Sequence, residues 1–178
     1  LVIGDSVTAG MGAGDTTVKW PDQLATKHPW DIANLAQPGA KVSTAVKALQ
    51  SHPCRVQIAI LEIGGNDLLG STSREVFEAN LDELLSMVNR CADKIIMFEL
   101  PLPPLRNRFG QIQRRLCKRH GAYLIPKRYF VNVLTTEDAT IDSVHLTQKG
   151  HDQMADLVES IVSSVFKADH KESISFSR

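Results

Sequence analysis

Val56-Gln57-Ile58-Ala59-Ile60-Leu61-Glu62-Ile63, followed at once by Gly64-Gly65-Asn66-Asp67, decides the fold. A nearly continuous apolar run of strand length reads as a strand covered on both faces, which points to a parallel sheet flanked by helices. Four more apolar runs read as strands: Leu1 to Gly4, Asp31 to Leu35, Lys94 to Leu100 and Ala122 to Ile125. Between them the apolar spacing changes to that of helices. Phe77, Leu81, Leu84, Leu85 and Val88 form one stripe, with Thr72 and Glu75 as a capping box in front of it. Met154, Leu157, Val158, Ile161, Val162 and Val165 form another, with Thr147 as its N-cap. Strands alternating with helical crossovers predict an α/β protein with a five-stranded parallel sheet and helices on both faces.

The chain has 178 residues, enough for one domain with its own core. Residues 1–167 are read as that domain, and residues 168–178, where periodicity fades, as a mobile tail. Hydrophobic residues make up 43% and charged residues 22%, which excludes disorder for the bulk of the chain. Lys plus Arg equals Asp plus Glu at 20 each, so no net charge draws the chain to nucleic acid or an anionic membrane. No apolar run reaches the ~20 residues of a membrane span. Cys54, Cys91 and Cys117 are too few for a disulfide scaffold or a zinc knuckle, and the sequence does not say whether two of them pair. Leu1-Val2-Ile3-Gly4 starts inside a buried strand, so the N-terminus is expected to be clipped. A signal peptide upstream would imply a periplasmic or secreted protein, and its absence a cytoplasmic one. The expected oligomeric state is a monomer.

In such a sheet ligands bind beyond the C-terminal ends of the strands. Four segments fall there: Gly4-Asp5-Ser6, Gly39 after Pro38, Gly64-Gly65-Asn66-Asp67, and Asp142-Ser143-Val144-His145 before the last helix. Each alone reads as turn or cap chemistry. Together they supply a hydroxyl, a base, an orienting carboxylate and oxyanion donors on one rim. Asp142 and His145, three apart in a tight turn, lie on one side of the backbone. Asp142 then fixes the imidazole tautomer and the other ring nitrogen faces Ser6. The Ser6 N–H at a helix start, the Gly39 N–H and the Asn66 amide are candidate oxyanion donors.

These blocks, in this order, resemble the SGNH (GDSL-type) hydrolases, over residues 1 to about 166. Within that superfamily the chain is most similar to the small bacterial thioesterase/lysophospholipase-type arylesterases, through Trp20-Pro21 and Leu61-Glu62-Ile63-Gly64-Gly65-Asn66-Asp67-Leu68. The resemblance implies a three-layer α/β/α sandwich with flavodoxin-like strand order 2-1-3-4-5. It implies Ser6 as nucleophile, His145 as base and Asp142 as its partner. It further implies an oxyanion hole from Ser6, Gly39 and Asn66, with Asp5 and Asp67 supporting the loops.

Three rival readings are weaker. Ser6 lacks the second glycine of a Gly-x-Ser-x-Gly elbow. Gly10-Met11-Gly12-Ala13-Gly14 suggests a nucleotide-binding module, but Asp15 stands where the third glycine belongs, and its charge opposes a phosphate. Asp142, His145 and His151 lack metal-ligand spacing, so neither a metal nor another cofactor is expected.

The expected partner is a small ester or thioester with a short to medium acyl chain; a carbohydrate O-acetyl ester is the alternative substrate. Small Gly10 beside the serine, and apolar Leu68, Leu69, Ile141 and Val144, are candidates for the acyl site. The proline-rich loop from Leu100 to Phe109 is a candidate wall. The stretch between Glu99 and Glu137 carries bases and no acid. Its Arg106 and Arg108 are candidate contacts for an anionic group on the substrate, against the plainer reading of a solvated helix face over Asn107 to His120.

Overall fold

The computed structural model describes residues 1–52, 55–101 and 107–175, with side chains through residue 167. Cys54, Arg106, most of the expected wall between Leu100 and Phe109, and the end of the tail lie outside the described residues. The chain runs β1 (Val2–Gly4), α1 (Ser6–Ala9), α2 (Trp20–Lys27), α3 (Val42–Gln50), β2 (Val56–Glu62), α4 (Gly65–Leu69), α5 (Arg74–Asn89) and β3 (Ala92–Phe98). It continues through α6 (Asn107–His120), β4 (Tyr123–Ile125), α7 (Lys127–Thr135) and α8 (Gln148–Ser175).

The strands pair in parallel in the order β1-β2-β3-β4. Alternation along each strand feeds two cores. Ile3, Ala59, Leu61, Ile95 and Met97 face one side, where they meet α3, α5 and α6 through Val42, Leu49, Phe77, Leu81, Leu85 and Leu116. Val2, Ile60, Ile96 and Phe98 face the other, against Trp20, Leu24, Phe130, Met154 and Val158 of α2, α7 and α8. β2 and β3 are therefore covered on both faces, as their apolar runs require.

Two expectations are corrected. The sheet has four strands among the described residues, not five. Asp31 to Leu35 makes a single parallel bridge, Val2 to Asn34, beside β1. The Val2 N–H donates to Ala33 O at 2.8 Å and the Leu35 N–H to Val2 O at 2.9 Å. One further bond, Gln37 N–H to Gly4 O at 3.2 Å, follows, and the pairing ends there because β1 offers only three residues and Asn34 Oδ1 turns back to accept from the Ala36 N–H at 3.0 Å. The cap of α5 is also one residue later than expected: Ser73 Oγ accepts from the Val76 N–H at 3.3 Å. Thr72 instead lies within influence of the Asp67 carboxyl, which it lowers. The Thr147 cap stands, with Thr147 Oγ1 accepting from the Gly150 N–H at 3.3 Å.

Cys91 is disulfide-bonded, whereas Cys117 is a free, buried thiol that burial pushes up to about 12. No described helix is long and apolar enough to cross a membrane.

Candidate active site

Ser6 is the first residue of α1, directly beyond β1. Asp5 caps this helix, its Oδ1 accepting from the Val7 N–H at 3.1 Å. Gly4 is required where β1 meets α1: a Cβ there would lie 2.5 Å from Thr8 Cβ. The Ser6 N–H, first in its helix, has no acceptor among the described residues.

The imidazole arrives from the far end of the chain. An antiparallel bridge between Thr140 and Leu146 closes the loop, and the Ile141 N–H donates to His145 O at 2.8 Å. Asp142 Oδ1 accepts from the His145 N–H at 2.9 Å and the Val144 N–H at 3.2 Å. Ser143, between them, takes a left-handed φ of 72°. The loop is seated on α8 at Gly150, where a Cβ would fall 2.1 Å from Ala139 O.

The hydrogen-bond network assigns the ring protons: His145 Nδ1 donates to Asp142 Oδ2 at 2.7 Å, and Ser6 Oγ donates to Nε2 at 3.0 Å. Hydrogen bonds from the His145 backbone and ring hold the Asp142 carboxyl down at about 2. The side chain of Asp142 is 53% exposed and that of His145 21%, so water reaches the orienting acid but little of the ring.

Gly39 adopts φ 73° and has open space around it, so its glycine answers a backbone need rather than a packing one. Its N–H has no acceptor among the described residues. Asn66 Nδ2 donates to Ala40 O at 3.0 Å and to Asp5 Oδ2 at 3.4 Å, which ties the Gly39 loop to the serine turn. Asp67 Oδ2 accepts from the Val42 N–H at 2.8 Å and fixes the start of α3. Burial raises the Asp67 carboxyl, opposed by that hydrogen bond. Burial also raises Asp5, to about 6.

The candidate substrate contacts divide. Leu69 is 77% exposed, while Leu68, its neighbour, is buried in the core. Ile141 and Val144 are exposed, as is Met11, and Ile141 approaches the Gly12 turn. Gly10 ends α1 in a left-handed conformation, under the stem of Lys19. Arg108 lies between α5 and α6 in a cleft of about 310 Å³ that also holds Arg74, Glu75, Glu78 and Arg115. Much of the charge on α6 is answered across that seam, Arg115 by Glu78 and Arg119 by Asp82, while Arg114 pairs with Glu99. A cavity of about 410 Å³ is lined by Leu1, Trp20, Trp30, Val56 and Phe166 at the opposite ends of the strands and contains none of Ser6, Asp142 and His145. His151 is buried between α2 and α8, where Nδ1 accepts from the Trp20 N–H at 3.4 Å.

The sequence reading passed over Glu62 and Thr8. Thr8 Oγ1 donates to Glu62 Oε2 at 2.8 Å, and both residues are buried beside Ser6. The available signal was an acid inside the apolar run Leu61-Glu62-Ile63.

The model of the GDSL-like lipase/acylhydrolase family matches residues 2–153. The chain belongs to that family. This GDSL-family protein is a carboxylic ester hydrolase. Among solved structures it is similar to the psychrotrophic esterase EstA of a Pseudoalteromonas species, crystallised inhibited by monoethylphosphonate. The TM-score is 0.74 at 20% identity, over 91% of this chain and 97% of the other. TesA gives TM-score 0.74 at 19% identity, over 89% and 94%. AlinE4, an SGNH-hydrolase family esterase, gives 0.66 at 26% identity, over 94% and 95%. No curated protein matches by sequence. Family membership favours the enzyme over the nucleotide-binding module.

Proposed function

We propose that this protein hydrolyses esters or thioesters of short to medium acyl chains through an acyl-enzyme on Ser6. The observation that carries the reading is the unbroken chain from Ser6 Oγ through His145 to Asp142, at 3.0 and 2.7 Å. Ser6 Oγ attacks the acyl carbon while its proton passes to His145 Nε2. Asp142, still ionised, stabilises the imidazolium through Nδ1–H. The carbonyl oxygen becomes an oxyanion and accepts from the Ser6 and Gly39 N–H groups. The Asn66 amide joins them by giving up its long contact to Asp5. The C–O or C–S bond breaks and the leaving group takes the proton from Nε2. Water, deprotonated by His145, then releases the acid and restores Ser6.

Exposed Leu69, Ile141 and Val144 support an apolar acyl contact near the serine. An O-acetyl ester of a carbohydrate is the alternative substrate. The acetylxylan esterase Axe2 of Geobacillus stearothermophilus shares the fold at TM-score 0.65 and 18% identity, over 86% of this chain and 89% of its own. Rates against nitrophenyl esters of increasing length, acyl-CoA, lysophospholipid and acetyl-xylan separate the two, and a maximum on acetyl-xylan alone selects the alternative. A serine-directed phosphonate should label Ser6 only, and Ser6→Ala should fold normally and turn over nothing. Labelling at another residue, or hydrolysis by the variant, overturns the nucleophile assignment.

A further inference from the structure

The floor of the serine turn contains an acid that the chemistry above leaves unused. Glu62 is the last residue of β2 and pairs in register with Gly4, the last residue of β1. Its side chain therefore lies where β1 gives way to α1. It is 3% exposed, and Thr8, its partner at 2.8 Å, is fully buried. The backbone N–H of Asp5 donates to the main-chain carbonyl of Glu62 at 3.2 Å. One core-strand residue thus holds the chain on both sides of Ser6, Asp5 through its main-chain oxygen and Thr8 through its carboxyl.

The surroundings disfavour a carboxylate there. The neighbouring charge is another carboxyl, Asp5 on the serine turn, itself backed by Asp67 of α4. The His145 ring, on the catalytic loop, acts on Asp5 in the opposite sense and lowers it. Glu62 itself forms no ion pair among the described residues. Burial pushes its carboxyl well above the usual range, and Asp5 adds to that. A neutral acid keeps its hydrogen bonds without setting a negative charge beneath the Ser6 N–H, where the oxyanion forms.

We propose that Glu62 is a positioning residue for Ser6, clamping the first turn of α1 through the Thr8 hydroxyl. The clamp fixes Ser6 Oγ toward His145 and Ser6 N–H toward the oxyanion. A leucine would fill the same space, but would leave the buried Thr8 hydroxyl without its acceptor.

This inference rests on the Ser6 mechanism, and its test separates the two. Kinetic constants are measured on a nitrophenyl ester for wild type, Glu62→Ala, Glu62→Gln, Thr8→Val and Thr8→Ser, each with its thermal midpoint and phosphonate-titrated active sites. Glu62→Ala should lower kcat by roughly 10–100-fold per titrated site, with KM changed less than about twofold, as misplacement of a reacting group does. Glu62→Gln keeps the acceptor without the charge and should recover most of that loss. Thr8→Val should resemble Glu62→Ala and Thr8→Ser should recover, so the inference stays testable if Glu62→Ala fails to fold. Wild-type kcat per site in Glu62→Ala or Thr8→Val, whatever the change in midpoint, overturns the positioning role. A folded Glu62→Gln as slow as Glu62→Ala overturns it as well. If wild type hydrolyses no ester and Ser6 takes no phosphonate, the acyl-enzyme reading has failed instead.

Discussion

Asp142 and Glu62 are both carboxyls one hydrogen bond away from a catalytic segment, and their environments drive them in opposite directions. Asp142 is exposed in a tight loop and collects hydrogen bonds from His145 and Val144, which hold it at about 2. Glu62 is enclosed by the sheet and α1, with Asp5 as its charged neighbour, and is pushed well above the usual range. The same functional group is thus held toward its ionised form where a positive charge must develop, and pushed toward its neutral form beside the turn where a negative one must. Placement in the fold, rather than residue type, assigns the two roles.

The largest expected effect tests the ionised side. Asp142→Asn keeps the turn but removes the charge and can present the wrong ring tautomer. It should lower kcat on the order of 10³–10⁴, and a loss below about tenfold would show that Asp142 does not orient the base. Next comes the oxyanion donor between the two regions. Asn66→Ala should cost roughly 10²–10³ in kcat with KM little changed; a rise in KM at constant kcat would make Asn66 a substrate contact.

A third test reads the buried side through stability. Asp5, raised to about 6, stays protonated in the native state across a window in which the unfolded chain has already ionised. Wild type therefore loses stability from this group as pH rises from about 4 to 6, by about 3 kcal/mol at most. Asp5→Asn, also a competent N-cap, should gain relative to wild type across that window and hold the gain above it. Urea midpoints at several pH values measure this, and a pH-independent difference would remove the buried-acid account. The smallest effect concerns Arg108. Arg108→Ala should raise KM for acyl-CoA by about threefold, leave a nitrophenyl ester unchanged, and be mimicked by salt. Equal losses on both substrates would mean a disturbed loop rather than an anion contact.

Much of this was legible because it is local. The β2 run, the Thr147 cap and the Asp142-x-x-His145 spacing are each set by neighbours in sequence, and each appears in the structure. The rest depends on distant partners. Asp31 to Leu35 has a strand's composition, yet the short β1 gives it one bridge. Thr72 has a cap's chemistry, yet Ser73, one residue on, takes the cap. Leu68 and Leu69 are identical in type, and only the rotation of α4 sends one into the core and the other to solvent. Glu62 was visible in the sequence, but its meaning waited on Thr8, which is 54 residues away.

The seating of the His145 loop on α8 at Gly150 also bears on how such an enzyme changes over generations. The imidazole is held by backbone hydrogen bonds, the Asp142 turn and a glycine that tolerates no side chain. Ile141 and Val144, in the same loop, face outward and take no part in that hold through their side chains. If the proposed acyl contact holds, substitutions at those two positions alter which acyl groups are welcomed while the proton-transfer apparatus keeps its alignment, so one short loop would offer selection separate handles on preference and on chemistry.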